Sequence, residues 1–185
     1  MDITELLNRI RQINVDALKD AAVAYGPCIL EPALCDDEGN VVGDGDLGLP
    51  CRVDLVPADD DEAEPITVDT ETHLEFEALE LDCEGVPVIM RPFSWDNALF
   101  LIQRNGVVDW APLADWFWQW FDAESENSED EDGMLGVVHF MSDPEPTDGG
   151  YSFVVDFGSA PPECFLDLID ALVDLQAEQI EVQLP

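Results

Sequence analysis

Apolar residues near the start of the chain recur at a helical period. Ile3, Leu6, Leu7 and Ile10 predict a helix over residues 2–24, with a break near Asn14. Gly26-Pro27 then ends it. From 27 to 65 the periodicity is lost. "CDDEGNVVGDGDLGLP", a short apolar strand in "CRVDLV" and then "PADDDEAEP" predict long, mobile loops. "THLEFEALELD" alternates, with Leu74 and Phe76 inward. Its parity slips at Ala78-Leu79, as at a bulge or in a strand covered on both faces.

"VPVIMRPFSW" and "NALFLIQ" follow as strands, with "RNG" as a hairpin-type turn. Asp109 is placed to cap a helix from 110 to about 122, and Pro112 is tolerated in its first turn. "MLGVVHFM" and "YSFVVDF" read as strands, a helix starts at about 161 after "GSAPPE", and "QIEVQL" closes as a strand. Helices and strands are segregated rather than regularly alternating. The fold class is α+β: an antiparallel or mixed sheet with N-terminal helices, a Trp-rich middle helix and a C-terminal β-β-α-β unit. The length suits a single domain over 1–185, with sub-halves 1–122 and 134–185 joined by an acidic loop at 123–133.

Charge changes this picture most. The chain has 43 Asp and Glu against 6 Lys and Arg, a formal net charge of -37. The basic residues are Arg9, Arg11, Lys19, Arg52, Arg91 and Arg104, with none after Arg104. A folded chain of this mass exposes roughly 8,900 Å², or about one carboxylate per 200 Å². B-DNA carries about one charge per 110 Å², so acidic clusters can match it locally. Nucleic acid and anionic membrane are excluded as partners, while a basic protein, a metal ion or a high-salt solvent suits the surface. Hydrophobic residues make up 46% of the chain, which rules out a wholly disordered acidic tail. Cys28, Cys35, Cys51, Cys83 and Cys164 are odd in number and form no C-x-x-C pair. Without a secretory leader they read as reduced thiols of a cytoplasmic protein.

The greasiest and the most acidic stretches adjoin in "ADWFWQWFDAESENSEDEDG". On a helix, Trp110, Leu113, Phe117, Trp120 and Phe121 share one sector, with Trp116 and Trp118 at its edges. The apolar arc spans about 200°, wider than the roughly 100° stripe of a surface helix. Such a helix is wedged into the core, or it leaves Trp116 or Trp118 partly exposed as an anchor rimmed by charge. The acidic loop reads as a solvated connector. Setting Gly133 at position 6 of a calcium loop places Ser128, Asp130 and Asp132 correctly, but His139 falls where the bidentate Glu belongs, so calcium binding is not expected. On the last helix, Phe165, Leu168, Ile169, Leu172 and Leu175 form a buried stripe. Glu163, Asp167, Asp170 and Asp174 form a ladder opposite, each like-charge step costing about 0.2–0.5 kcal/mol.

Catalytic constellations are weak. His73 and His139 lack zinc-ligand spacing. Ser159 in "FGSAPP" sits between a strand and a helix, yet Phe157 and Pro161 stand where a nucleophile elbow needs glycine. There is no phosphate-binding loop, and no enzyme activity, metal or other cofactor is expected.

The C-terminal segment from "GVVHFMSDPEPTDGGYSFVVDFGSAPPE" to "QIEVQLP" resembles the compact acidic α+β immunity proteins of bacterial toxin–immunity pairs. That resemblance implies a cytoplasmic antitoxin that binds and occludes a basic toxin domain. From the residues themselves, the expected partner surface comprises Trp116, Trp118, Asp122, Glu124, Glu126, Glu129, Asp130, Glu131, Asp132, Asp167, Asp170 and Asp174. Carboxylates would steer the encounter and aromatics would slow dissociation. Two alternatives stand beside it: a DNA-mimicking inhibitor of restriction or CRISPR machinery, and a salt-adapted protein whose acidity reflects its solvent.

Overall fold

The computed structural model describes residues 2–59, 64–70 and 72–185. The first helix, α1 (Ile3–Tyr25), buries Leu6, Leu7, Ile10, Asn14, Val15 and Leu18 along one face. It runs through Asn14 as one helix, so the expected pair of N-terminal helices is corrected to one. The Asn14 amide is turned inward, where Nδ2–H donates to Gly158 O at 2.7 Å. Its polar group is satisfied across the fold and does not compete with the local backbone. Gly26, at φ +82°, ends α1 by donating its N–H to Ala22 O.

An arm of short strands follows. β1 (Cys28–Leu30) pairs antiparallel with β4 (Leu55–Pro57), and β2 (Gly43–Asp44) with β3 (Leu49–Pro50). Part of the expected "PADDDEAEP" loop lies outside the described residues. The main sheet comprises β5 (Leu79–Cys83), β6 (Val86–Met90), β7 (Ala98–Gln103), β8 (Phe140–Met141), β9 (Glu145–Thr147), β10 (Gly150–Asp156) and β11 (Gln179–Gln183). Their order is β5-β6-β11-β7-β10-β8, with β9 also on β10. All pairs are antiparallel except β11 with β6. The class is α+β with a mixed sheet.

Three strand expectations are corrected. Residues 72–78 lie outside any ladder, although Leu74 and Phe76 still pack on the core. Pairing begins at Leu79, where the parity slips. Of "MLGVVHFM" only Phe140–Met141 is strand. The preceding run is buried, with single backbone bonds such as Val138 N–H to Trp120 O and His139 N–H to Asp156 O. "RNG" turns the chain towards a helix, not into a hairpin, because β7's partners β10 and β11 come from much later in the chain.

The two other helices cover the sheet. In α2 (Ala111–Phe121), Leu113, Trp116, Phe117 and Phe121 are buried. Trp110 holds the cap position, and Asp109 sits one residue earlier, accepting the Ala111 N–H at 3.1 Å. In α3 (Pro162–Asp174), Phe165, Leu168, Ile169 and Leu172 face inward. The strands alternate cleanly: Ala98, Phe100 and Ile102 of β7 and Ile180 and Val182 of β11 are buried, while their neighbours are partly exposed. One core joins α1, the sheet, α2 and α3, drawing residues from both sides of the acidic loop. A smaller cluster of Val15, Leu18 and Met134 fastens the loop's far end beneath α1. Among the described residues, no helix is long and apolar enough to cross a membrane.

Candidate functional site

The expected partner residues divide into three groups. Trp116 is 4% exposed, and its indole N–H donates to Cys164 O at 2.9 Å. It is a core residue and is corrected as a surface anchor. Its neighbour Trp118 is 40% exposed, with its ring edge-on to Phe117 and Phe121.

The acidic loop is held by its own carboxylates. Asp122 ends α2 in the left-handed conformation, and its side chain accepts the N–H groups of Glu126 and Asn127, both at 3.0 Å. Asp130 Oδ1 accepts from Asp132 N and Met134 N. Cations arrive from α1: Lys19 Nζ lies 2.6 Å from Asp132, and the Arg11 guanidinium 3.7 Å from Asp130. Asp122, Asp130 and Asp132 therefore shape the loop, while Glu124, Glu126, Glu129 and Glu131 stand exposed.

The third group forms a groove between α2 and α3, lined by Pro112, Asp115, Trp116, Gln119, Asp167, Asp170, Ala171 and Asp174. The helical spacing puts Asp115 and Gln119 on one wall and the ladder on the other. Asp167 Oδ2 accepts from Trp120 Nε1 at 3.2 Å, which ties the helices together. Asp170 and Asp174 are exposed. Among the described residues lining this groove there is no Lys or Arg.

Sequence reasoning missed a buried ionic cluster centred on His139, which is 1% exposed. Its Nε2 meets Glu31 Oε1 at 2.8 Å, and its Nδ1 meets Asp54 Oδ1 at 3.0 Å and Asp156 Oδ2 at 3.8 Å. Glu31 is fully buried and also accepts the N–H groups of Ser159 (3.1 Å) and Leu135 (2.7 Å). Ser159 Oγ accepts the Gly136 N–H at 2.8 Å and is buried, so it is a structural hydroxyl. Gly158, at φ +51°, is required: a Cβ there would lie 2.2 Å from the His139 ring. The usable signal was a lone histidine inside the apolar run "GVVHF", since a buried imidazole must be paired.

Burial alone would depress the His139 pKa, but the Asp156 charge and the bonds to Asp54 and Glu31 outweigh it, raising it to about 10. Burial likewise pushes Glu31 up, yet its bond to His139 and its other donors win and hold it below the usual carboxylate range. Asp156 is raised, mainly by burial, with Asp54 and Asp96 adding to the shift.

A pH dependence follows. With the imidazole raised from 6.5 to about 10, its stabilisation is complete below about pH 6.5 and is lost as pH rises through 10. The Glu31 contribution runs the other way, present above about pH 4.5 and lost as the carboxylate protonates. The melting temperature should therefore fall across the alkaline range, and a His139→Gln variant should lack that component. Parallel melting profiles for the two proteins would refute a charged imidazolium.

Compared with known proteins, the chain matches no family model, no curated protein and no solved structure.

Proposed function

We propose that this chain is a non-catalytic acidic inhibitor that binds and occludes a basic-surfaced protein, as a cytoplasmic immunity protein neutralising a bacterial toxin would. The observation that carries this reading is the α2–α3 groove. Four aspartates, Asp115, Asp167, Asp170 and Asp174, line it without a neutralising cation among the described lining residues. Helix stability alone favours a Lys at such spacings. A partner that brings its own Lys or Arg relieves the repulsion when it docks.

Trp118 supplies apolar contact where the acidic loop leaves α2. A bulky indole exposed beside carboxylates has the composition of an interface anchor. A reducing cytoplasm suits the five unpaired thiols.

The test begins with partner capture from host lysate, followed by stopped-flow binding. Charge reversal of Asp170 and Asp174 to Lys should slow association about tenfold at low ionic strength, with the difference shrinking in high salt. Asp167 is left intact because it bonds Trp120. Trp118→Ala should raise the dissociation rate about thirtyfold, the kinetic equivalent of a 2 kcal/mol hot spot, with the fold unchanged. An unchanged association rate in the reversed protein would sink the proposal. Displacement of the partner by duplex DNA would point to mimicry of nucleic acid, and a chain that folds only in molar salt to environmental acidity.

A further inference from the structure

We propose that His139 Nδ1, Asp54 and Asp156 form a binding site for one divalent transition-metal ion, with zinc the best geometric fit. The inference is independent of partner binding, and it stands on the arrangement of ligand atoms. One donor atom from each residue lies within 4.8 Å of the other two. The edges measured from Nδ1 are 3.0 Å to Asp54 Oδ1 and 3.8 Å to Asp156 Oδ2. A tetrahedral ion with bonds of about 2.0–2.2 Å needs ligand–ligand edges of about 3.3–3.5 Å. These two edges bracket that range, and the third, between the Asp54 and Asp156 oxygens, lies within 4.8 Å and would close on the ion.

The surroundings hold these three ligands in place. Nε2 of His139 meets the buried Glu31 carboxylate, which fixes the ring and leaves Nδ1 as the metal-facing nitrogen. This carboxylate–histidine support is the usual outer shell of a metal-bound imidazole. Each aspartate has its other oxygen held by the backbone: Asp54 Oδ2 accepts the Val68 N–H at 2.7 Å, and Asp156 Oδ1 the Gly158 N–H at 2.8 Å. The oxygens facing Nδ1 are those left over.

Access and the remaining coordination position come from a surface cavity. Asp54 and Asp156 line it together with Thr67, Asp96 and Asn97. Asp96 adds a further carboxylate to the cavity wall. Its Oδ2 accepts from Thr70, and its Oδ1 is shut off from solvent with no hydrogen-bond donor among the described residues. Charge also favours a cation, since Glu31, Asp54 and Asp156 surround the imidazole against one guanidinium, Arg52, on the cavity wall. The nitrogen ligand selects against calcium and magnesium, which prefer oxygen throughout.

Binding removes the proton from Nδ1 and puts the metal in its place. The ion then clips together the arm before β4, the run before β8 and the end of β10, three segments distant in sequence.

The experiment uses the full chain stripped with a chelator, then titrated with zinc or cobalt(II) in excess magnesium to occupy surface carboxylates. One equivalent of zinc should bind and raise the melting temperature with concentration. Cobalt(II) should develop the intense visible bands of a four-coordinate ion at the same stoichiometry. Asp54→Asn and Asp156→Asn should each abolish that step while keeping the native circular dichroism, and Asp170→Asn with Asp174→Asn should leave it intact. Glu31→Gln should weaken binding about 10–100-fold. A cobalt spectrum that stays weak and six-coordinate in the wild-type chain overturns the proposal. So does a zinc isotherm unaltered by the two cluster substitutions, which would mean binding to surface carboxylates only.

Discussion

Replacing His139 with leucine should cost about 3–5 kcal/mol, a large share of the roughly 5–15 kcal/mol that holds a domain of ordinary stability together. The leucine side chain fills space but takes from Glu31, fully buried, the cation that bonds its carboxylate. Asp54 and Asp156 lose theirs at the same stroke. The size of the effect reflects an uncompensated buried charge more than the worth of the bonds themselves. Urea denaturation should show the loss at low and high salt alike, because a buried pair is poorly screened. Adding Glu31→Gln to the leucine variant should cost less than the two single changes summed, which marks direct coupling. A loss below about 1 kcal/mol would mean that the imidazole and its neighbours are not held as charges.

Arg52 carries the second large expectation. It is 5% exposed and spreads its guanidinium over three carbonyls: Nε to Phe121 O at 2.9 Å, and the terminal nitrogens to Glu31 O at 2.6 Å and Asp122 O at 2.7 Å. It also stacks 4.8 Å from the centre of the Phe121 ring. Two of these carbonyls lie at the C-terminal end of α2, where no helical N–H remains for them and the dipole is negative. Arg52→Ala should therefore cost about 3 kcal/mol, since hydrogen bonds to charged groups are each worth about 1.5–3 kcal/mol. Arg52→Lys should recover less than half, because one ammonium cannot span a fork of three acceptors. Thermal melts would measure both, and amide exchange should quicken at residues 122–127, where the loop begins. A lysine variant as stable as the wild type would show that charge, not the planar fork, holds the arm to α2.

These two residues show how unevenly the site was legible. The ladder on α3 and the place of Trp116 and Trp118 at the edges of the apolar arc could be read from helical spacing, which is a local property. The roles of Asp122, Asp130 and Asp132 could not, because their partners are backbone amides of the loop and cations on α1. The acidic stretch lacks Lys and Arg nearby in sequence, yet Arg11 and Lys19 reach it in space. With 43 acidic residues, no sequence pattern singles out Glu31, Asp54 and Asp156 as the ones that gather round His139. Only His139 carries a local mark, as a polar residue in an apolar run, and that mark does not name its partners.

The sequence by itself determined the helices α2 and α3, the strands β6, β7, β10 and β11, and the acidic character of the surface. Period, turn residues and charge act over a few positions and survive in any context. Tertiary structure decided which strands pair, placing β11 between β6 and β7. It also decided that Asn14 staples a loop instead of breaking a helix, and that Trp116 is core while Trp118 is surface. Above all it gathered an imidazole and three carboxylates from residues 31, 54, 139 and 156. Such contacts depend on chain closure over long separations, where the energy lies in burial and pairing that no local pattern encodes.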